Sequence, residues 1–204
     1  MKRLYLTALI SVAVAVGATA QVQLTNVEES VASETNSEAA YTKTIDKRAA
    51  DIVAVLNLTN AATGAKVHEL AMAQYRALRD WHEANDVKRK EAKGEAADKI
   101  NASLKAIHEA YIASLSAVLT PAQVEAVKDK MTYGKVQFTF KGYMVKEPNM
   151  PEAQQQKVLE LLKQAREEAM DAGSSKEKDA IFNRYKGKIN NYLSSQGLGK
   201  KKPA

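Results

Sequence analysis

Residues 100–121 read INASLKAIHEAYIASLSAVLTP, and their spacing decides the fold. Ile100, Leu104, Ile107, Tyr111, Leu115 and Val118 recur every three or four positions, which puts them on one face of an α-helix. The run stops at Thr120-Pro121. Thr120 can cap a following helix, and Pro121 suits its first turn because the missing amide would have no intrahelical acceptor there. Working outward, the same period continues on both sides. Upstream, Ala49, Ile52, Val53 and Leu56 form a helix opened by Thr44, and Val67, Leu70, Ala71, Gln74, Leu78 and Trp81 form the stripe of the next, capped by Thr59. Downstream, Val124, Val127 and Met131 lie on a short helix, and Val158, Leu161, Leu162, Ala165 and Met170 on a longer one. Asp171 to Ser175 then reads as a junction with a C-cap glycine and a serine N-cap, leading into Ile181, Tyr185, Ile189, Tyr192 and Leu193. One stretch departs from this. Val136, Phe138 and Phe140 alternate with Gln137 and Thr139 between Gly134 and Gly142, the period of an extended segment or short strand pair. The expected fold is mainly α, a bundle of about six helices with an extended or β segment near 132–148.

The ends of the chain read differently. Lys2 and Arg3 precede an apolar run from Leu4 to Val16, and Ala18-Thr19-Ala20 offers the small residues of a cleavage site, so 1–20 reads as a signal peptide. The run is too short for the roughly 20 residues of a bilayer span. The expected location is periplasmic or secreted after cleavage near Ala20, with no stable membrane anchor. Residues 21–42 are rich in Ser, Glu, Asn and Thr and read as a disordered polar leader, 43–198 as one helical domain, and 199–204 as a basic tail. With no cysteine, the domain relies on packing rather than disulfides and can use neither a thiolate metal site nor a cysteine nucleophile. Residues 21–120 carry 12 basic against 14 acidic side chains, whereas 121–204 carry 16 against 10. That basic half suits anionic partners. An export signal disfavours nucleic acid.

Leu119-Thr120-Pro121-Ala122-Gln123 resembles the LTxxQ motif of small periplasmic helical proteins that include ATP-independent envelope-stress chaperones. Leu58-Thr59 is an imperfect second copy, and Met150-Pro151-Glu152-Ala153-Gln154 opens a helix in a similar way. A longer resemblance covers about residues 41–198. Gln74-Tyr75-Arg76-Ala77-Leu78, Leu119 to Gly134, Ala169 to Ser175 and Tyr185 to Leu193 look like a domain-of-unknown-function family of secreted helical proteins of Bacteroidota. Such proteins are often encoded among genes for plant polysaccharide breakdown. The resemblance implies a helical architecture and a carbohydrate context, and brings no catalytic residue.

Chemistry-bearing patterns are sparse. His82 and Asp86 are four apart and can share a helix face, but spacing indicates no third metal ligand. His108 lies beside the Ile107–Tyr111 stripe, and catalysis would require His82 or His108 to converge with a carboxylate. Glu109, Glu167, Glu168 and Asp171 are carboxylates that spacing alone cannot pair. There is no Gly-x-Ser-x-Gly elbow and no phosphate loop. No catalytic residue, metal or cofactor is therefore indicated. The candidate ligand site is the aromatic and basic stretch Tyr133, Lys135, Phe138, Phe140, Lys141 and Tyr143, joined by Asn190 and Asn191, which are poor mid-helix residues and suggest a polar contact. The expected function is an exported, non-catalytic binding or accessory protein linked to polysaccharide utilisation, its partner an acidic polysaccharide. The alternatives are an LTxxQ-like chaperone that holds unfolded client protein, and a hydrolase or lyase accessory.

Overall fold

The structure is a computed structural model that describes residues 19–198, with side chains from 37 onward. The expected signal segment up to residue 18 and the tail 199–204 lie outside the described residues. Among the described residues seven helices follow one another: α1 (Thr19–Ala54), α2 (Ala61–Glu91), α3 (Glu95–Ser116), α4 (Pro121–Met131), α5 (Lys135–Lys146), α6 (Glu152–Met170) and α7 (Ser175–Ser195). The chain divides into one unit up to Lys43 and a second from Thr44. Residues 21–42, read from composition as a leader, are helical backbone within α1, and Thr44 lies inside that helix rather than capping it. No helix among the described residues is long and apolar enough to cross a membrane.

The stripes read from the sequence build two clusters in the second unit. Ala49, Ile52 and Leu56 meet Val67 and Ala71 of α2, Tyr111 and Leu115 of α3, and Val124, Val127 and Met131 of α4. Val136 and Tyr143 of α5 meet Val158, Leu162, Ala165 and Ala169 of α6 and Phe182, Tyr185, Ile189 and Leu193 of α7. Helix α6 serves both, because Met170 at its end belongs to the first cluster.

The extended segment expected near 132–148 does not form; it is helix α5, and the described residues contain no strand. The period-2 reading required Phe138 to point inward with Val136 and Phe140. Instead Phe138 is 81 % exposed, while Val136 and Tyr143 are buried and Phe140 and Met144 pack partly against them. Positions 136, 140, 143 and 144 make a helical stripe, so tertiary burial overrides the β-preference of valine and phenylalanine.

Helix ends show which local signals were sound. Thr120 forms a full capping box: its Oγ1 accepts from the Gln123 amide at 3.3 Å, and Gln123 Oε1 accepts from the Thr120 amide at 3.0 Å. The LTxxQ-like stretch is thus accounted for by capping chemistry. Its imperfect copy works otherwise, since Asn60 rather than Thr59 caps α2, and Pro151 offers α6 no side-chain cap. Ser174 caps α7 as expected, whereas α6 ends at Asp171 rather than at Gly173.

Candidate functional site

Of the expected ligand stretch, Tyr133 lines a cavity. Helix α4 closes with Tyr133 N–H donating to Lys130 O at 3.2 Å and Gly134 N–H to Asp129 O at 2.8 Å, the paired bonds of a Schellman ending. This puts Tyr133 at φ 59°, a left-handed position that glycine usually fills and that costs a side-chain-bearing residue about 1–3 kcal/mol. Its hydroxyl lies 3.0 Å from Ser175 Oγ at the start of α7. The ring walls a cavity of about 280 Å³ that also takes Arg48 and Asp51 from α1, Tyr75 from α2, Lys130 from α4 and Lys178 from α7. Three cations thus face one carboxylate, and Asp51 is already paired with Lys47 at 3.2 Å. The Arg48 guanidinium stands 5.5 Å above the Tyr75 ring. Lys178 is only 7 % exposed and its Nζ donates to Ala169 O at 2.9 Å, in the last turn of α6. Burial drives its ammonium down to about 8; Asp171 and Glu177 oppose this, and Arg48 reinforces it.

The other expected residues are spread around α5 and α7. Lys135 is paired with Asp179. Phe138 and Lys141 face solvent, while Phe140 packs partly into the core. Tyr143 is buried and its hydroxyl donates to Asn190 Oδ1 at 2.9 Å, the polar contact that the mid-helix asparagines suggested; Asn191 is exposed. The cavity's other polar and aromatic residues are Arg48, Asp51, Tyr75, Lys130 and Lys178. Sequence reading missed them because no local pattern joins four helices. One signal was available: Lys178 lies four residues before Phe182, on the buried stripe Phe182, Tyr185, Ile189 and Leu193.

A second polar assembly lies at the C-terminal end of α6. His82 Nδ1 is 2.9 Å from Asp86 Oδ1, and His82 Nε2–H donates to Asp171 O at 2.7 Å. His108 Nδ1 is 3.0 Å from Asp171 Oδ1, and its Nε2 is 3.5 Å from Glu167 Oε2. Glu167 in turn accepts from Lys128 at 2.9 Å and from Arg166 at 3.2 Å, and Arg166 reaches Glu125 at 2.6 Å and Asp129 at 2.7 Å. Two histidines therefore do converge on one residue, Asp171. The Asp171 and Glu167 hydrogen bonds raise His108 to about 9, so it is an imidazolium at neutral pH. Burial pushes the Glu167 carboxyl up, but His108 and Lys128 outweigh it and hold the group at about 2. Both rings are thus bracketed by acceptors, and no nitrogen is open to a substrate. Among the described residues no group of three or more His, Asp or Glu side chains is arranged to hold a metal ion.

Gly173 makes this assembly possible. A Cβ there would stand 3.0–3.2 Å from the His82 ring. Gly173→Ala is expected to push the ring off Asp171 O and cost about 1–3 kcal/mol, seen as a lower urea midpoint and a shifted His82 imidazole resonance.

A family model described as "Protein of unknown function (DUF3826)" matches residues 42–204. No curated protein matches the chain. The matched span takes in α2 to α7, both apolar clusters and every residue of the cavity, and the chain belongs to the DUF3826 family.

Proposed function

We propose that this is an exported, non-catalytic binding protein that takes an acidic sugar residue, the terminus of an acidic polysaccharide fragment, in the Arg48–Lys178 cavity. The observation that carries the reading is the cavity's composition: three cations against one already-paired carboxylate, with two tyrosine rings as walls. A uronate presents a carboxylate to Arg48 and Lys130, while its apolar ring face lies against tyrosine and its hydroxyls meet phenol. About 280 Å³ is small beside the roughly 300–1,000 Å³ of drug-sized sites, so one sugar unit enters and the rest of a chain stays outside. The state of the histidines supports binding rather than turnover, since His108 is held as a cation between two carboxylates. Export rests on the Lys2–Ala20 segment.

Calorimetry with galacturonate is expected to give heat that galactose does not. Arg48→Ala should weaken that binding at least about tenfold, or ~1.4 kcal/mol. Equal heats from the charged and neutral sugars, or an unchanged Arg48→Ala isotherm, would exclude the reading.

A second reading, a holdase for unfolded client protein, is favoured by the outer face of α5, where Phe138 and Val145 are 81 % and 82 % exposed. Aggregation of a denatured client followed by light scattering, with and without Phe138→Ser, tests it: wild-type protein suppresses scattering and the variant does not. Unchanged scattering with wild-type protein in excess sinks it.

A further inference from the structure

The cavity contains a group that anion binding alone does not require. Lys178 is buried, and buried lysines are normally paired with a carboxylate. The carboxylates near it along the chain are committed elsewhere: Asp171 to His108, Glu177 to the Gly173 amide, and Asp179 to Lys135. Its Nζ has instead the carbonyl of Ala169. It also shares its cavity with Arg48 and Lys130. As a free amine it can give one hydrogen to Ala169 O and keep its lone pair for the cavity. A desolvated lysine beside other cations is the arrangement that makes an amine nucleophilic towards carbonyl carbon.

We propose that Lys178 captures the carbonyl group of a small anionic aldehyde as a reversible imine. This rests on the acidic-sugar reading of the cavity and names the form of the ligand: the open-chain reducing end of a uronic acid, which carries an aldehyde and a carboxylate together. Arg48 and Lys130 hold the carboxylate. The Lys178 nitrogen lone pair attacks the aldehyde carbon, and a proton passes from nitrogen to oxygen through water to give the carbinolamine. Loss of water then forms the C=N bond, and addition of water reverses it. Nothing is oxidised or reduced, and water is the only co-reactant.

The probe is glyoxylate, an aldehyde and a carboxylate in two carbons, with cyanoborohydride to reduce any imine to a stable secondary amine, followed by peptide mapping of the full chain. At pH 7 an ordinary lysine is almost wholly protonated, whereas one near 8 is roughly one-tenth free amine. That is an excess of free amine of roughly two-hundredfold, and because a less basic, buried amine is a slower nucleophile per molecule, Lys178 is expected to be modified at least about ten times faster than the average of the other lysines. Propionaldehyde, which lacks the carboxylate, should show less preference, and galacturonate in excess should slow the Lys178 reaction. Lys178→Arg keeps a donor to Ala169 and loses the fast-labelled peptide. Labelling of Lys178 no faster than that of surface lysines in the wild-type chain overturns the capture step. Galacturonate heat abolished by Arg48→Ala would in that case leave the cavity's sugar reading standing. Fast Lys178 labelling without galacturonate heat would retain capture and remove the sugar.

Discussion

Replacing Glu125 and Asp129 together by their amides is expected to destabilise the domain by about 3–5 kcal/mol. Arg166 is 2 % exposed, and its two short charge-assisted hydrogen bonds run to these residues on α4. Its Nε already lacks a partner, so the guanidinium has no slack. Neutralising both partners leaves a buried cation with Glu167 as its remaining anion, and Glu167 is shared with Lys128 and His108. Truncating the cation instead should cost less. Arg166→Met removes the buried charge itself, and the carboxylates that faced it, Glu125, Asp129 and Glu167, are 43 %, 33 % and 34 % exposed, so water can solvate them. Urea unfolding of the wild type, both singles, the double and Arg166→Met checks this. The double should exceed the sum of the singles, and Arg166→Met should be milder than the double. The reverse order would mean that Arg166 matters for its packing, not its charge.

Stability is also expected to fall on the alkaline side because of His108. The group is raised from 6.5 to about 9 in the fold, so its contribution is complete below 6.5 and is lost as pH rises through 9. At about 1.4 kcal/mol per unit, this amounts to a loss of about 3 kcal/mol over the full span, and of about 2 kcal/mol by pH 8. Glu167 acts at the other end: lowered from 4.5 to about 2, it contributes fully above 4.5 and loses that as pH falls through 2. The two place a plateau between about 4.5 and 6.5. Lys178, lowered from 10.5 to about 8, favours the fold increasingly as pH rises from 8 to 10.5, so the window free of it is 6.5–8. Denaturant unfolding across that window should show the fall, and His108→Gln should flatten it. A wild-type profile as flat as that of the variant would contradict the clamp on Asp171 and Glu167.

How much of this was legible follows from the reach of each signal. Helical period is local, so α2, α3, α4, α6 and α7 could be read from stripes such as Ile100–Leu115, and the Thr120 cap from three residues, whereas Val118, counted with that stripe, lies past the end of α3 and is exposed. In the last stripe Tyr185, Ile189 and Leu193 are buried as read and Ile181 and Tyr192 partly so, but the buried Phe182, four residues after Lys178, was not read as part of it. Helix α5 was missed because β-branched and aromatic residues at alternate positions satisfy a strand, and only the position of α6 and α7 decides which of them is covered. His82–Asp86 was visible as an i, i+4 pair. Its third member, the Asp171 carbonyl 89 residues away, was not. The cavity gathers four helices, and no spacing rule links Arg48 to Lys178.

The central claim is that an acidic sugar occupies that cavity, and amide chemical-shift mapping of the domain during a galacturonate titration tests it most directly. Shifts should concentrate at Arg48, Tyr75, Lys130, Tyr133 and Lys178 and saturate, with galactose producing none of them. Saturating shifts along the outer face of α5, or no shifts at any uronate concentration, would contradict the account.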